Sequence, residues 1–389
     1  AVACTRGLAA ENNIKIQVFE GGPSPAIDGE VAQWAGDKKY DLIFWNLPYL
    51  KLDNSENSQT LGPLEEAGLI DTDKQGLLKR TLKLISNGLL ADTGIALFVV
   101  SSQNEFSKHK FECYSAGLAT RKISSVKFDD NEELRVIAVW KPYVLAKKIS
   151  LPTVDSTNTL LLNSEMSEGS SINSPNQTKG HGRRNRQWID YEKSYAGSWI
   201  LFDSIPALSP GIIQILVGLS VLDTIKCLTE DENEILLKWP NDILVPIEGQ
   251  WRKICGILVE SKSTGNNNVI VAGIGINIAG KYRENFNMPV GFANDYSDKI
   301  TYQNINTVLN AILASNFEKI EALPELTFVK LEERLNSELS KTFSAFSNSL
   351  YRNSSVQFSR VLPDGSIEII NENNEPLVID ESESIDWIC

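Results

Sequence analysis

Gln177-Thr178-Lys179-Gly180-His181-Gly182-Arg183-Arg184-Asn185-Arg186-Gln187-Trp188 is the stretch on which the reading of this chain turns. Four fixed cations, Lys179, Arg183, Arg184 and Arg186, crowd beside two glycines and a tryptophan in a chain whose formal net charge is -13. Glycine lets a backbone approach a ligand closely, and arginine forks match carboxylate and phosphate. Taken alone, the run fits a solvated surface loop as well as a loop built to hold an anion. Its neighbours along the chain decide between the two.

Three downstream stretches put polar groups on strands that otherwise read as buried. Lys238-Trp239-Pro240-Asn241-Asp242 ends the strand-like run Ile235 to Trp239. Arg252-Lys253-Ile254-Cys255-Gly256-Ile257-Leu258-Val259-Glu260 opens the run Cys255 to Glu260, and Gly273-Ile274-Gly275-Ile276-Asn277 lies in Val269 to Ile278. Upstream, Asp155-Ser156-Thr157-Asn158 precedes an apolar stretch and has the composition of a helix cap. Singly, each has a plain explanation as a turn, a hairpin lysine or a tight strand crossing. No Gly-x-Gly-x-x-Gly opens a helix, so the dinucleotide fingerprint fails. In this order and spacing, however, the motifs resemble the biotin protein ligase family. The resemblance covers residues 149 to 389, with the motifs between Asp155 and Asn277.

The resemblance implies an α+β biotin/lipoate ligase-like domain and a two-step reaction. Biotin's carboxylate attacks the α-phosphorus of ATP, giving biotinyl-5′-AMP and pyrophosphate. A lysine of a biotin carboxyl carrier protein of a biotin-dependent carboxylase then attacks the mixed anhydride. Two anions must be brought together, and cations offset their repulsion and the charge that develops in transfer. By resemblance, Arg183 and Lys253 are the catalytic cations at the reacting carboxylate, and they also bind biotin. Ser156, Thr157, Asn158, Gln177, Gly180, His181 and Gly182 complete the biotin site. Arg184, Arg186, Trp188, Lys238, Asn241, Asp242 and Asn277 serve ATP, with Asp242 also suited to Mg²⁺ as a hard oxygen ligand. Gly180 and Gly182 give a loop able to close over the adenylate and exclude water. Trp239 reads as core.

Departures from the family pattern are local. His181 stands where bacterial relatives often carry arginine, and Asn185 where a glycine is common. Ser164 to Asn176 reads as loop, without the apolar strand that delivers the glutamine in relatives. The related lipoate ligases carry an Arg-x-x-Gly-Gly-Gly loop that this chain lacks, so biotin is preferred to lipoate.

The N-terminal third reads differently. Asp41-Leu42-Ile43-Phe44-Trp45-Asn46-Leu47-Pro48-Tyr49 resembles the Asn-Pro-Pro-Tyr signature of methyltransferases acting on amide or exocyclic amine nitrogens. By resemblance, Asn46, Pro48 and Tyr49 would hold the target nitrogen, with Leu47 in place of the first proline. No cofactor loop precedes Asn46, since Gly21-Gly22 lies in the wrong context. A truncated methyltransferase-like module is expected, with no bound S-adenosylmethionine. A nitrogen methyltransferase carrying a regulatory biotin-binding domain, a lipoate-type acyl ligase and a carrier-docking scaffold stand as alternatives. The chain opens at Ala1 without a Met or a leading strand, which reads as a piece of a longer protein.

At 389 residues the chain is too long for one ordinary core. Alternating strand-like and helix-like segments predict an α/β chain with three parts. Residues 1–145 form a partial, mostly parallel methyltransferase-like sheet. Its elements are strands at Ile14 to Phe19, Tyr40 to Trp45, Ile95 to Val100, Ser124 to Phe128 and Arg135 to Trp140, with helices at Lys74 to Leu90 and Phe106 to Leu118. Residues 149–340 form the ligase-like domain, with a strand at Ser198 to Phe202 and helices at Gly211 to Leu228, Ile305 to Leu323 and Thr327 to Leu339. Residues 345–389 form a small SH3-like β-barrel, with short strands around the Pro363-Asp364-Gly365 turn. A sequence pI near 4.9 excludes a general binder of nucleic acid or anionic membrane. No apolar run is expected to span a bilayer, and Ile212 to Leu219 reads as buried helix. Five scattered cysteines without a Cys-x-x-Cys pair predict free, buried or half-buried thiols in a cytoplasmic protein.

Overall fold

The computed structural model describes residues 2–19, 38–48, 50–51, 70–71, 76–102, 106–129, 131–229, 235–264, 267–282, 288–381 and 384–388. The chain divides into two compact units, Ala1–Lys141 and Pro142–Cys389.

The first unit comprises α1 (Val2–Glu11), β1 (Tyr40–Asn46), β2 (Leu50–Lys51), β3 (Ile70–Asp71), α2 (Leu77–Leu84), β4 (Leu90–Ser101), α3 (Phe106–Ser115), β5 (Ala119–Lys127) and β6 (Glu133–Trp140). Helix α2 buries Leu77, Leu78, Thr81 and Leu82, one face of a 3.6-residue period. A wider π turn over Ile85–Leu89 and Gly88 at φ 117 then end it. The expected helix from Lys74 to Leu90 is therefore shorter, and Lys74 lies outside the described residues. These side chains pack on Leu90, Ala96, Phe98 and Ile137 of the sheet.

That sheet has the order β1-β4-β6-β5. Only β1 and β4 are parallel, whereas β4–β6 and β5–β6 are antiparallel. The mostly parallel sheet read from the sequence is thus corrected: β5 and β6 are joined by a turn too short for a parallel crossover. Ile14 to Phe19 is not a strand. It follows α1 as irregular backbone with Ile14, Ile16 and Phe19 exposed, and it has no partner strand among the described residues. Leu47, in place of the signature's first proline, is a core residue. Asn46 ends β1, Pro48 follows it half-buried, and Tyr49 and Gly21-Gly22 lie outside the described residues.

The second unit begins with β7 (Lys148–Ser150), α4 (Thr157–Leu162), β8 (Ser171–Ser174) and β9 (Lys193–Phe202). It continues with α5 (Pro210–Thr229), β10 (Leu236–Lys238), β11 (Asp242–Ile247), β12 (Gln250–Thr264) and β13 (Asn267–Ala279). Next come α6 (Ala293–Tyr296), α7 (Tyr302–Phe317) and α8 (Phe328–Ala345). Its seven-stranded sheet runs β10-β11-β12-β13-β9-β8-β7, antiparallel except between β7 and β8.

Helix α5 is apolar all round and packs against α7 and the sheet, as the interior helix of a layered domain must. At 20 residues and mean hydropathy 1.7 it is long and apolar enough to cross a bilayer, contrary to the sequence expectation, but 78% of that stretch is buried inside the protein. A second correction concerns Ser164 to Asn176. It is not all loop, because Ser171–Ser174 forms β8 with all four residues buried. Strand β11, between the expected turn and the next strand, was also not foreseen. Helix α7 stops at Phe317 rather than Leu323.

The chain ends in β14 (Leu350–Tyr351), β15 (Ser354–Val361), β16 (Ile367–Asn371), β17 (Pro376–Ile379) and β18 (Ile385–Asp386), a sheet of order β17-β16-β15-β14-β18. It is fastened to the seven-stranded sheet's side of the unit. Trp239, buried as expected, donates from Nε1 to Gly365 O at 3.2 Å, and Ser209 Oγ donates to Pro363 O at 2.7 Å. Cys113, Cys227 and Cys255 are free and buried, Cys4 is free and exposed, and Cys389 lies outside the described residues.

Candidate active site

Ser156 caps α4, its side chain accepting from Thr159 N at 3.3 Å. The cap fixes the two residues that follow. Thr157 donates to Gln177 Oε1 from its backbone N at 2.9 Å and from Oγ1 at 3.1 Å. Asn158 Nδ2 donates to Glu260 Oε2 at 2.9 Å and to Leu258 O at 3.3 Å. Ser198 Oγ lies 2.6 Å from Asn158 Oδ1 and 2.8 Å from Thr157 Oγ1. Glu260 also stands 3.2 Å from His181 Nε2. A single polar network therefore ties α4, β9 and β12 to the basic loop. Gly273 is required here, because a Cβ would stand 2.2 Å from Asn158 Oδ1.

The basic loop folds on itself. Gly182 N donates to Arg186 O at 2.7 Å and Trp188 N to Gly180 O at 2.9 Å, and His181 bridges Gln187. The tip is a short 3₁₀ turn over Arg183–Asn185, with Arg184 in the left-handed region at φ 56. The Trp188 indole lies over the glycines of two adjacent strands. A Cβ at Gly256 would meet it at 2.8 Å and one at Gly275 at 2.5 Å. Arg184 pairs with Glu381 at 2.5 Å. Burial holds the Arg183 guanidinium below its ordinary pKa, Arg184 lowers it further, and Glu381 and Asp242 oppose this.

The remaining motifs converge from the strands. Lys253 Nζ, on β12, stands 2.7 Å from Asp242 Oδ1 at the start of β11, an ion pair set off the hydrogen-bonding direction. Lys253 is also gripped through its backbone, its N donating to Pro289 O at 2.8 Å and its O accepting from Gly291 N at 2.9 Å. Lys238 Nζ lies over the Trp387 ring at 5.6 Å from its centroid. Burial lowers the Lys238 pKa, and Lys253 adds to this while Asp242 opposes it. Asn241 Nδ2 donates to Ile257 O at 3.2 Å. Asn277 donates to Gly291 O at 3.4 Å and leaves Oδ1, buried, without a partner among the described residues.

Most of these residues line one cavity of about 1010 Å³, whereas Ser198 and Glu260 stand outside its wall. Of the residues read from the motifs, Ser156, Thr157, Asn158, Gln177, His181, Gly182, Arg183, Arg184, Arg186, Trp188, Lys238, Asn241, Asp242, Lys253 and Asn277 are all in its wall. Gly180 is not. It is buried, and a Cβ there would stand 3.0 Å from Gln177 Nε2 and 3.2 Å from Trp188 Cβ, so it serves the loop's packing rather than contact. Asn46 and Pro48 belong to the first unit and are not in the wall. Sequence reasoning missed Glu260, Ser198, Tyr191, Glu381, Asp386 and Trp387. Glu260 had a signal, since it shares a strand face with Gly256 and Leu258 by alternation. The last three sit more than a hundred residues beyond the motifs with no local pattern. Among the described residues no three His, Cys, Asp or Glu side chains gather as a metal site, and Asp242 is held by Lys253.

Residues 150–277 match the model of the Biotin/lipoate A/B protein ligase family. This segment, a third of the chain, is similar to the domain of that family. Among curated relatives, a biotin–[acetyl-CoA-carboxylase] ligase of Paracoccus denitrificans is 31% identical over 133 residues, 33% of this chain and 54% of that protein. A bifunctional ligase/repressor of Bacillus subtilis strain 168 is 31% identical over 132 residues, 33% of this chain and 38% of that protein. The chain thus spans about half the length of the first of these relatives and less of the second. Among solved structures, a biotin protein ligase from Aquifex aeolicus in complex with biotin and ATP superposes at 22% identity and a TM-score of 0.46, covering 62% of this chain and 97% of that one. The likeness to that family rests on the family match and the curated relatives.

Proposed function

We propose that the second unit activates biotin with ATP and transfers it to a lysine of a biotin carboxyl carrier protein of a biotin-dependent carboxylase. One observation carries this reading. Two cations, Arg183 and Lys253, line the same cavity as a neutral polar set and a second polar set built around Lys238, Asn241, Asp242 and Asn277. Neutral groups suit an uncharged ureido ring, and the cations suit the carboxylate and phosphate that react.

In the first step the biotin carboxylate oxygen bonds to the α-phosphorus and pyrophosphate leaves. Arg183 and Lys253 offset the charge that builds on the phosphoryl oxygens. In the second step the carrier lysine amine attacks the anhydride carbon, AMP leaves, and the amine's proton passes to solvent or a nearby base. Mg²⁺, if used, would neutralise the departing pyrophosphate. Asp242 could supply one protein oxygen beside phosphate oxygens, a donor set of the kind Mg²⁺ accepts. Biotin is favoured over lipoate by the missing Arg-x-x-Gly-Gly-Gly loop. We further read residues 149–340 as the catalytic domain, 345–389 as an SH3-like barrel and 1–145 as a methyltransferase-like module without S-adenosylmethionine, in a cytoplasmic protein.

Biotin-dependent ATP–pyrophosphate exchange tests the reading. Exchange is expected from the purified chain, and its absence at saturating biotin and ATP sinks the proposal. Arg183→Ala should also release adenylate early and raise labelling of bystander lysines.

A further inference from the structure

Asp190 lies just beyond the basic loop and outside the cavity wall, and no motif drew attention to it. Its two carboxylate oxygens have separate employments. Oδ2 accepts a short hydrogen bond from Gln177 N, at the loop's entry. Oδ1 accepts from Trp188 Nε1 at 3.1 Å, at the loop's exit. Gln177 in turn accepts both donors of Thr157, and the Trp188 indole rests on Gly256 and Gly275.

We propose that Asp190 is the positioning residue that sets the form of the basic loop over the cavity, buckling its entry to its exit. Both partners are N–H donors, so the buckle needs two acceptors at once. Among side chains of this size only a carboxylate offers them: asparagine would turn an NH₂ toward one donor, and serine has a single oxygen. Half-burial raises the Asp190 pKa, while the two donors oppose that rise, so they favour the charged form that the buckle needs. Through Gln177 the buckle reaches the α4 cap, and through Trp188 the β12–β13 floor. Arg183 hangs between these two fixed ends. The consequence for catalysis rests on the proposed ligase activity, whereas the buckle itself does not.

The loop contains four trypsin sites, Lys179, Arg183, Arg184 and Arg186, which give a readout independent of function. Under native conditions D190N and D190A are expected to be cut within the loop about tenfold faster than the unaltered chain. If D190A fails to fold, the isosteric D190N carries the test. In a W188F background the increment from D190N should shrink, because one of its donors is already gone. Unchanged cleavage in D190N, or an equal increment in both backgrounds, overturns the buckle. In the exchange assay D190N should raise KM for biotin about tenfold while kcat stays within about threefold. Faster cleavage with unaltered KM overturns the positioning role. No exchange from the unaltered chain would instead sink the ligase reading and leave the proteolysis arm to decide the buckle.

Discussion

Gly275→Ala offers the sharpest test of how the cavity is organised. A Cβ at this position would stand 2.5 Å from Trp188 Cζ2 and 2.6 Å from Cε2. Carbon–carbon contact is comfortable at about 3.5–4.0 Å, so ring and strand must separate by roughly 1 Å. The indole cannot swing away freely, because Nε1 is held by Asp190 at 3.1 Å and its Cβ abuts Gly180. The strand cannot retreat either, since Gly275 is registered between Gly256 and Ala196 in the interior of the sheet. Overpacking of this kind costs about 1–3 kcal/mol. Displacing a loop that carries a reacting cation by about 1 Å can cost on the order of a hundredfold in rate. Urea denaturation should read the first loss and pyrophosphate exchange the second. Gly182→Ala is the stability control, because its Cβ meets nothing closer than Arg186 O at 3.8 Å. If Gly275→Ala matches the unaltered chain within about 0.5 kcal/mol and keeps its full exchange rate, the indole-on-glycine floor does not set the loop.

Lys253→Gln should lower exchange on the order of a hundredfold or more by removing one cation from the developing charge, with little change in thermal midpoint; an intact rate removes Lys253 from the chemistry. Glu168 offers a pH test away from the cavity. Burial, and then Asp203, push its pKa from 4.5 up to about 7. Between these values the folded state keeps a proton that the unfolded chain gives up. Stability from this group is therefore complete below the unfolded pKa and falls as pH rises through 7. Glu168→Gln should flatten that fall by on the order of 1 kcal/mol after solvent screening, read as thermal midpoints at pH 5 and pH 8. A parallel pH slope in the variant would contradict it.

The cavity was legible in the sequence because its motifs, in their order and spacing, resemble those of the biotin protein ligase family; composition and periodicity by themselves placed only polar groups and glycines on strands that read as buried. What escaped reading had a common physical cause. Strand β8 is Ser-Ile-Asn-Ser, and its burial depends on tertiary hydrogen bonds rather than apolar alternation. Asn173 accepts from Tyr302 OH at 2.8 Å, and Ser174 Oγ donates to Asn176 O at 2.8 Å. A strand satisfied in this way carries no hydrophobic period to detect. The orientation of the N-terminal sheet was misread because alternation of elements says nothing of a closing antiparallel pair such as β5 and β6. Trp387 and Asp386 reach the cavity only because α8 and the last sheet fold back, and sequence distance hides that.

The folding back of the last strand bears on how the protein can be handled. Glu381, Ile385, Asp386 and Trp387 all stand in the wall of the cavity, and Trp387 packs on Phe343 and Phe346 of the preceding helix and its end. A chain trimmed to residue 345, where the sequence suggests a domain border, would open the cavity to solvent on that side. It would also bare two phenylalanines and strip Lys238 of the ring beside it. The tidy excision point and the smallest working unit are thus different places, and a fusion partner is better carried at the other end of the chain.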